Sequence, residues 1–522
     1  MLSLLLIIPL IQSEADDGLL LFHPISGNDT LLMDNSGEVV HTWPGSSGPG
    51  LSVKLLKNGV LLRTRNSGQG TIGGSGGGIQ KIAFDGTILW DYECTGADYL
   101  SHHDAEPLPN GNVLILKRIN RGRVAAIDAG RDPALLRGPD FWAETVIEVK
   151  QTGPTSGEIV WEWNLWDNLV QDFDATLPNF GNPADYPERM DINFPPRRQN
   201  NGDWNHVNGI AYNPDLDQIL LSSHGQDEIW ILDHSVQNGG FIYRWGNPEA
   251  YGTGTAADRK LFKQHNAQWI EPGLPGEGNI LIFNNGSGRP GGDASTVDEL
   301  VPPLNTNGSY DLISGQAYGP AGPVWSYGGT TSTQFYAMNI SGCQRQPNGN
   351  TLVCVGPSGY FFEVNNAGNQ VWDYQYDFPG QGNDLVFRVN RYQQFLFAEP
   401  KSLLASTGGS LNFNLLGGTQ RAGRPYGILG SMSGTSPGTQ IAPGVILPLN
   451  RDWLFTQTHV NHSAPHFSAF RGNLDASGNA QAGLDTLGPL PVSMVGRTVH
   501  FAFAIGLPLD FTSRPVAIEI LP

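Results

Sequence analysis

An all-β protein, a six-bladed β-propeller followed by a small C-terminal β-sandwich-like domain, is the fold this sequence predicts, and three observations predict it. The first is composition: 67 glycines and 37 prolines among 522 residues, with 15% charged side chains, favour many short strands and tight turns over long helices. The second is a repeat in which a turn leads into a strand that ends in an aromatic pair or a lone tryptophan. It reads SGEVVHTW (36–43), DGTILWDY (85–92), SGEIVWEW (156–163), GGFIYRW (239–245), GPVWSY (322–327) and AGNQVWDY (367–374). The third is a hairpin pattern around Asn-Gly or its equivalent: LLKNGVLL (55–62), PLPNGNVLIL (107–116), IAYNPDLDQILL (210–221), PGLPGEGNILIF (272–283) and RQPNGNTLVCV (345–355).

The two patterns interleave. Most tryptophan strands follow a short apolar strand such as TLLMD, IQKIAFD, EIWILD or YFFEV. Together they give about four strands per unit, the blade of a propeller, in which stacking around an axis buries faces that a single blade leaves open. Six tryptophan strands predict six blades, placed at residues 16–397. Near residue 400 the pattern stops and alternating apolar runs such as GVILPLN, HFAFAIGLPL and PVAIEILP take over. Residues 400–522 are therefore expected to form a sandwich-like domain, an attachment or stabilising module without a chemical motif of its own.

At the N-terminus an apolar run from Leu2 to Ile11 is followed by Ser13-x-Ala15, which resembles a signal peptide and its cleavage site. Residues 1–15 are expected to be that signal, and the mature chain to be periplasmic or extracellular; a buried N-terminal strand is the alternative. The run is too short to span a bilayer. A net charge of −19 argues against nucleic acid or an anionic membrane as the main partner, because phosphate backbones demand clustered Lys and Arg. There are three cysteines and no CxxC. A two-residue turn at Asn348-Gly349 makes Cys343 and Cys354 cross-strand partners, either as a disulfide or as two reduced core thiols.

The stretch DWNHVNGI sets a histidine and two asparagines at the start of a strand. His103 and His206 each lie seven residues before a turn asparagine, Asn110 and Asn213, and His265 opens the corresponding strand of a unit with a longer turn. If that strand is the innermost, these positions converge at one end of the central channel. Arg289 follows the strand ILIF directly, and an arginine beside several imidazoles suits a tetrahedral oxyanion. A lone strand-end histidine is usually structural; three in one register with an arginine point to function. His102-His103-Asp104 admits a metal reading, but neighbours on a strand face opposite ways, so the two imidazoles do not readily share an ion. His224 and His234 read as surface or strand-end residues, and Cys343 as a thiol with no partner base.

These segments resemble the bacterial arylsulfate sulfotransferases, six-bladed propellers. DWNHVNGI is similar to their Asp-Trp-x-His-x-Asn-Ser-Ile motif, FKQHNAQW to their Gln-His-Thr/Asp-Ala segment, and FNNGSGR to their Asp-Asn-Gly-x-Gly-Arg segment; QILLSSHGQDEIWILD and RWGNPEAYG also fit. The resemblance runs through most of residues 17–396. It implies sulfuryl transfer from a phenolic sulfate ester to a phenol by a ping-pong route through a sulfohistidine, with no nucleotide donor. It also implies that His206, His265 and Arg289 bind the sulfuryl group and stabilise its charge. The family's sulfated histidine lies in a Gly-Ser-Ile-His-Leu-Phe-Asp type strand, and the matching stretch PSGYFFEV carries Tyr360 there. His103 or Tyr360 is then the candidate to assist as nucleophile or acid/base.

The expected partners are a small aryl sulfate donor and a phenolic acceptor, with no cofactor and no metal. A non-catalytic extracellular propeller that binds sulfated or phenolic ligands is the alternative. A propeller hydrolase or quinone-dependent dehydrogenase ranks below both, since the first wants a metal-binding carboxylate set and the second a cofactor pocket.

Overall fold

The computed structural model describes residues 15–522 apart from 57–58, 69–72, 75, 195–201, 330–334 and 378–383. The apolar run 2–11, read above as a signal, lies outside the described residues. Among the described residues no helix is long and apolar enough to cross a membrane.

Six four-stranded antiparallel sheets follow one another along the chain. The second holds Pro49–Leu55, Leu61–Asn66, Gly77–Ile82 and Ile88–Glu93, and the third Tyr99–Pro107, Val113–Asn120, Trp142–Gln151 and Gly157–Asn164. Val207–Asn213, Gln218–Ser223, Glu228–Asp233 and Phe241–Trp245 make the fourth, and His265–Trp269, Ile280–Asn284, Thr296–Leu300 and Trp325–Gly328 the fifth. The sixth is Gly342–Arg345, Thr351–Val355, Tyr360–Val364 and Gln370–Gln375. In the first sheet Leu19–Phe22, Thr30–Met33 and Val39–Trp43 are completed by Asn390–Tyr392 from far along the chain. The leading strands of successive sheets lie against one another, so each sheet presents one edge to a common axis.

The repeated tryptophans sit on the outermost strands, and each hands its indole N–H to the next sheet. Trp43 donates to Ala83 O, Trp90 to Ser156 O, Trp163 to Gly239 O, Trp245 to Pro320 O, Trp325 to Asn366 O and Trp372 to Asn35 O, at 2.8 to 3.3 Å. Every acceptor lies in the connection between the third and fourth strands of the following sheet, and the last returns to the first. A buried indole needs a partner for its one donor, and here that need links each sheet to its neighbour. The repeat seen in the sequence is thus the seam of a ring.

After the closing strand the described residues build a small sheet of Thr439–Ala442 with Val445–Leu447 and two larger ones. Leu396–Glu399, Ser410–Leu416, Asn479–Asp485 and Phe467–Ser468 form one; Ser402–Leu404, Val516–Leu521, Thr498–Ile505, Pro425–Ser431 and Arg471–Asn473 form the other. Phe413, Phe470, Phe501 and Phe503 fill the space between them. That core is continuous with Leu19, Trp43, Leu61 and Phe84 of the first two sheets, and Phe397 stacks on Phe84 at 4.3 Å between ring centres. Each such side chain fully buried contributes about 1.5–3 kcal/mol.

One expectation is corrected here. All three cysteines are free thiols. The loop between the strands is Pro347-Asn348-Gly349, closed by Gln346 and Asn350, so Gly342 pairs with Cys354 and Cys343 with Val353. A shift of one residue sends the side chains to opposite faces: Cys343 packs with Phe283 and Val297, Cys354 with Leu20 and Phe361.

Candidate active site

The leading strands of the third, fourth and fifth sheets all start at the same end of the axis, and each breaks register there. The pairing shifts between Ser101 and Ala105, between Val207 and Gly209, and between His265 and Gln268. His103 (φ 49°), His206 (φ 46°) and Asn266 (φ 49°) adopt left-handed backbone at these breaks, as does Ser341 in the sixth sheet (φ 85°). A non-glycine residue held there costs about 1–3 kcal/mol, and such strain collects where function demands a particular side-chain direction. Each bulge re-aims a side chain toward the axis.

The imidazoles meet as a chain of ring contacts. Ring centres are 5.2 Å apart for His102 and His103, 4.7 Å for His103 and His206, 5.0 Å for His206 and His224, and 5.4 Å for His224 and His265. Phe387 packs near both His103 (6.1 Å) and His265 (6.2 Å). Gly74 approaches from the glycine-rich connection of the second sheet, where its carbonyl accepts the His103 amide at 2.8 Å. Its φ is +79°, and a methyl group there would fall 1.9 Å from His103 Cε1. Only glycine fits that approach.

Each ring is oriented from behind. His265 Nδ1 is 2.8 Å from Asn285 Oδ1, and the Asn285 amide nitrogen donates to the carbonyls of Ala337 (2.9 Å) and Ile340 (3.0 Å). The amide oxygen therefore faces His265 and accepts its Nδ1 proton. His206 Nδ1 bonds the Asp203 carboxylate. His102 lies between Glu144 Oε2, 2.8 Å from its Nε2, and His103 Nδ1, 2.9 Å from its Nδ1. Among the described residues His103 is bonded at Nδ1 to His102, His206 at Nδ1 to Asp203, and His265 to Asn285 and to the Lys263 backbone.

Burial sets the charge states. Desolvation above all, with Arg118 adding to it, holds His103 well below the ordinary histidine value, and desolvation lowers His265 to about 3. Both are neutral imidazoles at physiological pH. Burial alone would raise Asp203, but His206 and Arg118 outweigh it and hold the carboxyl low. Deeper on the same strand Asp104 is ion-paired to Arg388 and lies 3.7 Å from Lys54 Nζ. Its pKa reaches about 2 because these cations overcome desolvation.

Of the residues expected at the site, His103, His206 and His265 come together. Arg289 stands in the connection between the second and third strands of the fifth sheet, the sheet that His265 opens: its guanidinium lies 5.4 Å from the Phe262 ring centre, Nη2 donates to Thr296 Oγ1 at 3.1 Å, and Nε is buried without a partner among the described residues. Tyr360 is not brought to the imidazoles. It opens the third strand of its sheet, packs on Phe362 at 5.6 Å and accepts a hydrogen bond from Gln370 at 2.9 Å.

Two histidines join that sequence reasoning set aside. His224 is buried between His206 and His265 because the end of the second strand returns beside the start of the first, its amide donating to His206 O. That return follows from the hairpin register. His102 reaches His103 because strand alternation fails at the bulge, which corrects the expectation of opposed faces. His234 instead bridges Asp217 and Glu148 away from the cluster. Among the described residues no group of His, Cys, Asp and Glu has the geometry to hold a metal ion.

The fold and site define a β-propeller with an imidazole cluster at one end of its axis. The chain belongs to the arylsulfotransferase family, whose model matches residues 12–393. It is 25% identical over 386 residues to the arylsulfate sulfotransferase AssT of Escherichia coli O6:H1, and 24% over 379 residues to that of Lelliottia amnigena. Each alignment covers 64% of this chain and 58% of the relative, so the chain spans less than two thirds of the length of the curated relatives it matches. Among solved structures, the β-propeller domain of Myceliophteria thermophila Cps50 (Swd1) superposes with a TM-score of 0.35 at 11% identity, covering 69% of this chain and 87% of that one.

Proposed function

We propose that this protein transfers a sulfuryl group from an aryl sulfate ester to a phenolic acceptor, without a nucleotide donor, by way of a covalent sulfohistidine at the axial cluster. The observation that carries this reading is the convergence of His103, His206 and His265 at one end of the axis, each ring held at Nδ1 by a group behind it. Two of the three are held neutral, the form in which nitrogen is a nucleophile. Arg289, with a buried Nε lacking a partner among the described residues, supplies the cation for the equatorial oxygens, where transition-state charge spreads.

Tyr360 has no part in this mechanism. The partners are small molecules, and the apolar run before Ser13-x-Ala15 supports export to the periplasm or beyond; N-terminal sequencing of the secreted protein checks it. For the chemistry, the purified full chain is incubated with 4-nitrophenyl sulfate with and without phenol. Acceptor-dependent nitrophenol release with a transient sulfuryl adduct is expected, unchanged by an added nucleotide sulfate. Saturable binding with no release and no adduct would leave an anion-binding propeller instead.

A further inference from the structure

Three imidazoles converge at the axis, and the groups behind them differ. Behind His265 stands a neutral amide, whose oxygen accepts the Nδ1 proton but brings no full negative charge to the ring. Behind His206 stands the carboxyl of Asp203, bonded to the ring at Nδ1. Behind His103 stands a relay. Glu144 Oε1 is occupied by the Val207 amide at 3.1 Å, and Oε2 faces His102 Nε2 at 2.8 Å. Arg118 lies close enough to Glu144 and Asp203 for their charges to act on it.

A carboxylate offers only lone pairs, so the His102 proton is on Nε2 and its Nδ1 is an acceptor. The 2.9 Å contact between the two Nδ1 atoms holds one proton, which must then belong to His103. The relay therefore fixes His103 as the tautomer whose Nε2 is a bare lone pair, 4.7 Å ring to ring from His206.

We propose that His103 is the sulfuryl carrier, that His206 is the general acid and base, and that Glu144 and His102 are positioning residues that set the His103 tautomer. The proposal rests on the sulfuryl-transfer reading above. In the first half-reaction the Nε2 lone pair of His103 attacks sulfur. The S–N bond forms as the S–O bond to the aryl group breaks, and the electron pair leaves on the phenol oxygen, which takes the Nε2 proton of His206. The positive charge on the sulfated ring is met through His102 by Glu144, with no proton lost. In the second half His206 takes the proton of the acceptor phenol, whose oxygen attacks sulfur, and the S–N electron pair returns to His103. A ring backed by a neutral imidazole beside one backed directly by a carboxyl group divides the roles in this way.

Glu144→Gln tests the relay. The amide rotates to donate to His102 Nε2 while keeping its oxygen on the Val207 amide, so His102 protonates at Nδ1, donates to His103, and turns the His103 lone pair inward. The tautomer error of a triad with its acid amidated costs about 10⁴-fold in serine proteases. Here kcat is expected to fall at least about 10²-fold with KM for 4-nitrophenyl sulfate changed less than about 3-fold. Imidazole ¹⁵N shifts, with His103→Asn used for assignment, should show His103 Nε2 pyridine-like in the wild type and pyrrole-like in Glu144→Gln. Peptide mapping of the neutral-trapped adduct should place it on His103. An adduct on another residue in an active wild-type enzyme overturns this assignment and leaves the sulfotransferase reading standing. An inactive wild type defeats the reading, and a pyrrole-like His103 Nε2 in the wild type defeats the relay even if Glu144→Gln fails to fold.

Discussion

Replacing Gly74 by alanine probes how closely the glycine-rich connection approaches the imidazoles. At φ +79° the new residue takes on about 1–2 kcal/mol of left-handed backbone strain. Its methyl carbon would stand 1.9 Å from His103 Cε1 and 2.0 Å from Nε2, where ordinary contact begins near 3.4 Å. Loop and ring must therefore part by about 1.5 Å, and a misplacement of about 1 Å at a reacting group costs around 10²-fold in rate. Turnover of 4-nitrophenyl sulfate is expected to drop by at least about 10²-fold, about 2.7 kcal/mol of barrier. The backbone strain is small beside the stability of the whole ring, so thermal unfolding should remain cooperative and shift by only a few degrees. A Gly74→Ala enzyme that folds and keeps wild-type turnover would refute the placement of His103 under this loop.

Arg289→Ala is expected to lower kcat by about 10²–10³-fold, as losing one donor from a preorganised oxyanion site does, and Arg289→Lys to recover little because a lysine lacks the planar fork; steady-state kinetics decide both. Asp104→Asn should destabilise the fold on the order of 2 kcal/mol above pH 4. The folded-state pKa of Asp104, about 2, lies below its ordinary 3.8, so the carboxylate's contribution is full above that value and vanishes as pH falls from about 4 to about 2. Denaturant melts of both proteins across that window should converge toward the acid end. Burial pushes all three thiols up, so a disulfide-exchange reagent should find none in the native protein and three after unfolding, with no mass change on reduction.

Much of this was legible in the sequence, for identifiable reasons. The tryptophan strands were readable because each meets a local requirement, an indole that must reach a turn in the next sheet, and that requirement repeats six times. His103 and His206 were readable because hairpin register fixes their distance from the turn. Where a bulge adds a residue, strict alternation misleads: His102 was assigned to the wrong face for that reason, and a three-residue loop misplaced the cysteine pair by one. Arg118 and Glu144 carry no local pattern, since their place beside the cluster comes from neighbouring strands meeting at the axis. Tyr360 shows the limit of matching motifs by position: the strand is the expected one, yet its first side chain turns toward Gln370.

The strand that completes the first sheet is made of residues 390–392, some 370 positions after the strand it joins. Until it has been synthesised the five later sheets are an open row, and Leu19–Phe22 has a bare edge. Phe387, the ring that touches both His103 and His265, belongs to the same late segment. Arg391 then locks into Glu363 of the sixth sheet, and Phe397 enters the core beside Phe84. The same late segment thus closes the circle and supplies a ring to the imidazole cluster. A nascent chain carries every histidine of the cluster long before the strand that closes the ring around it, Asn390–Tyr392, has been made.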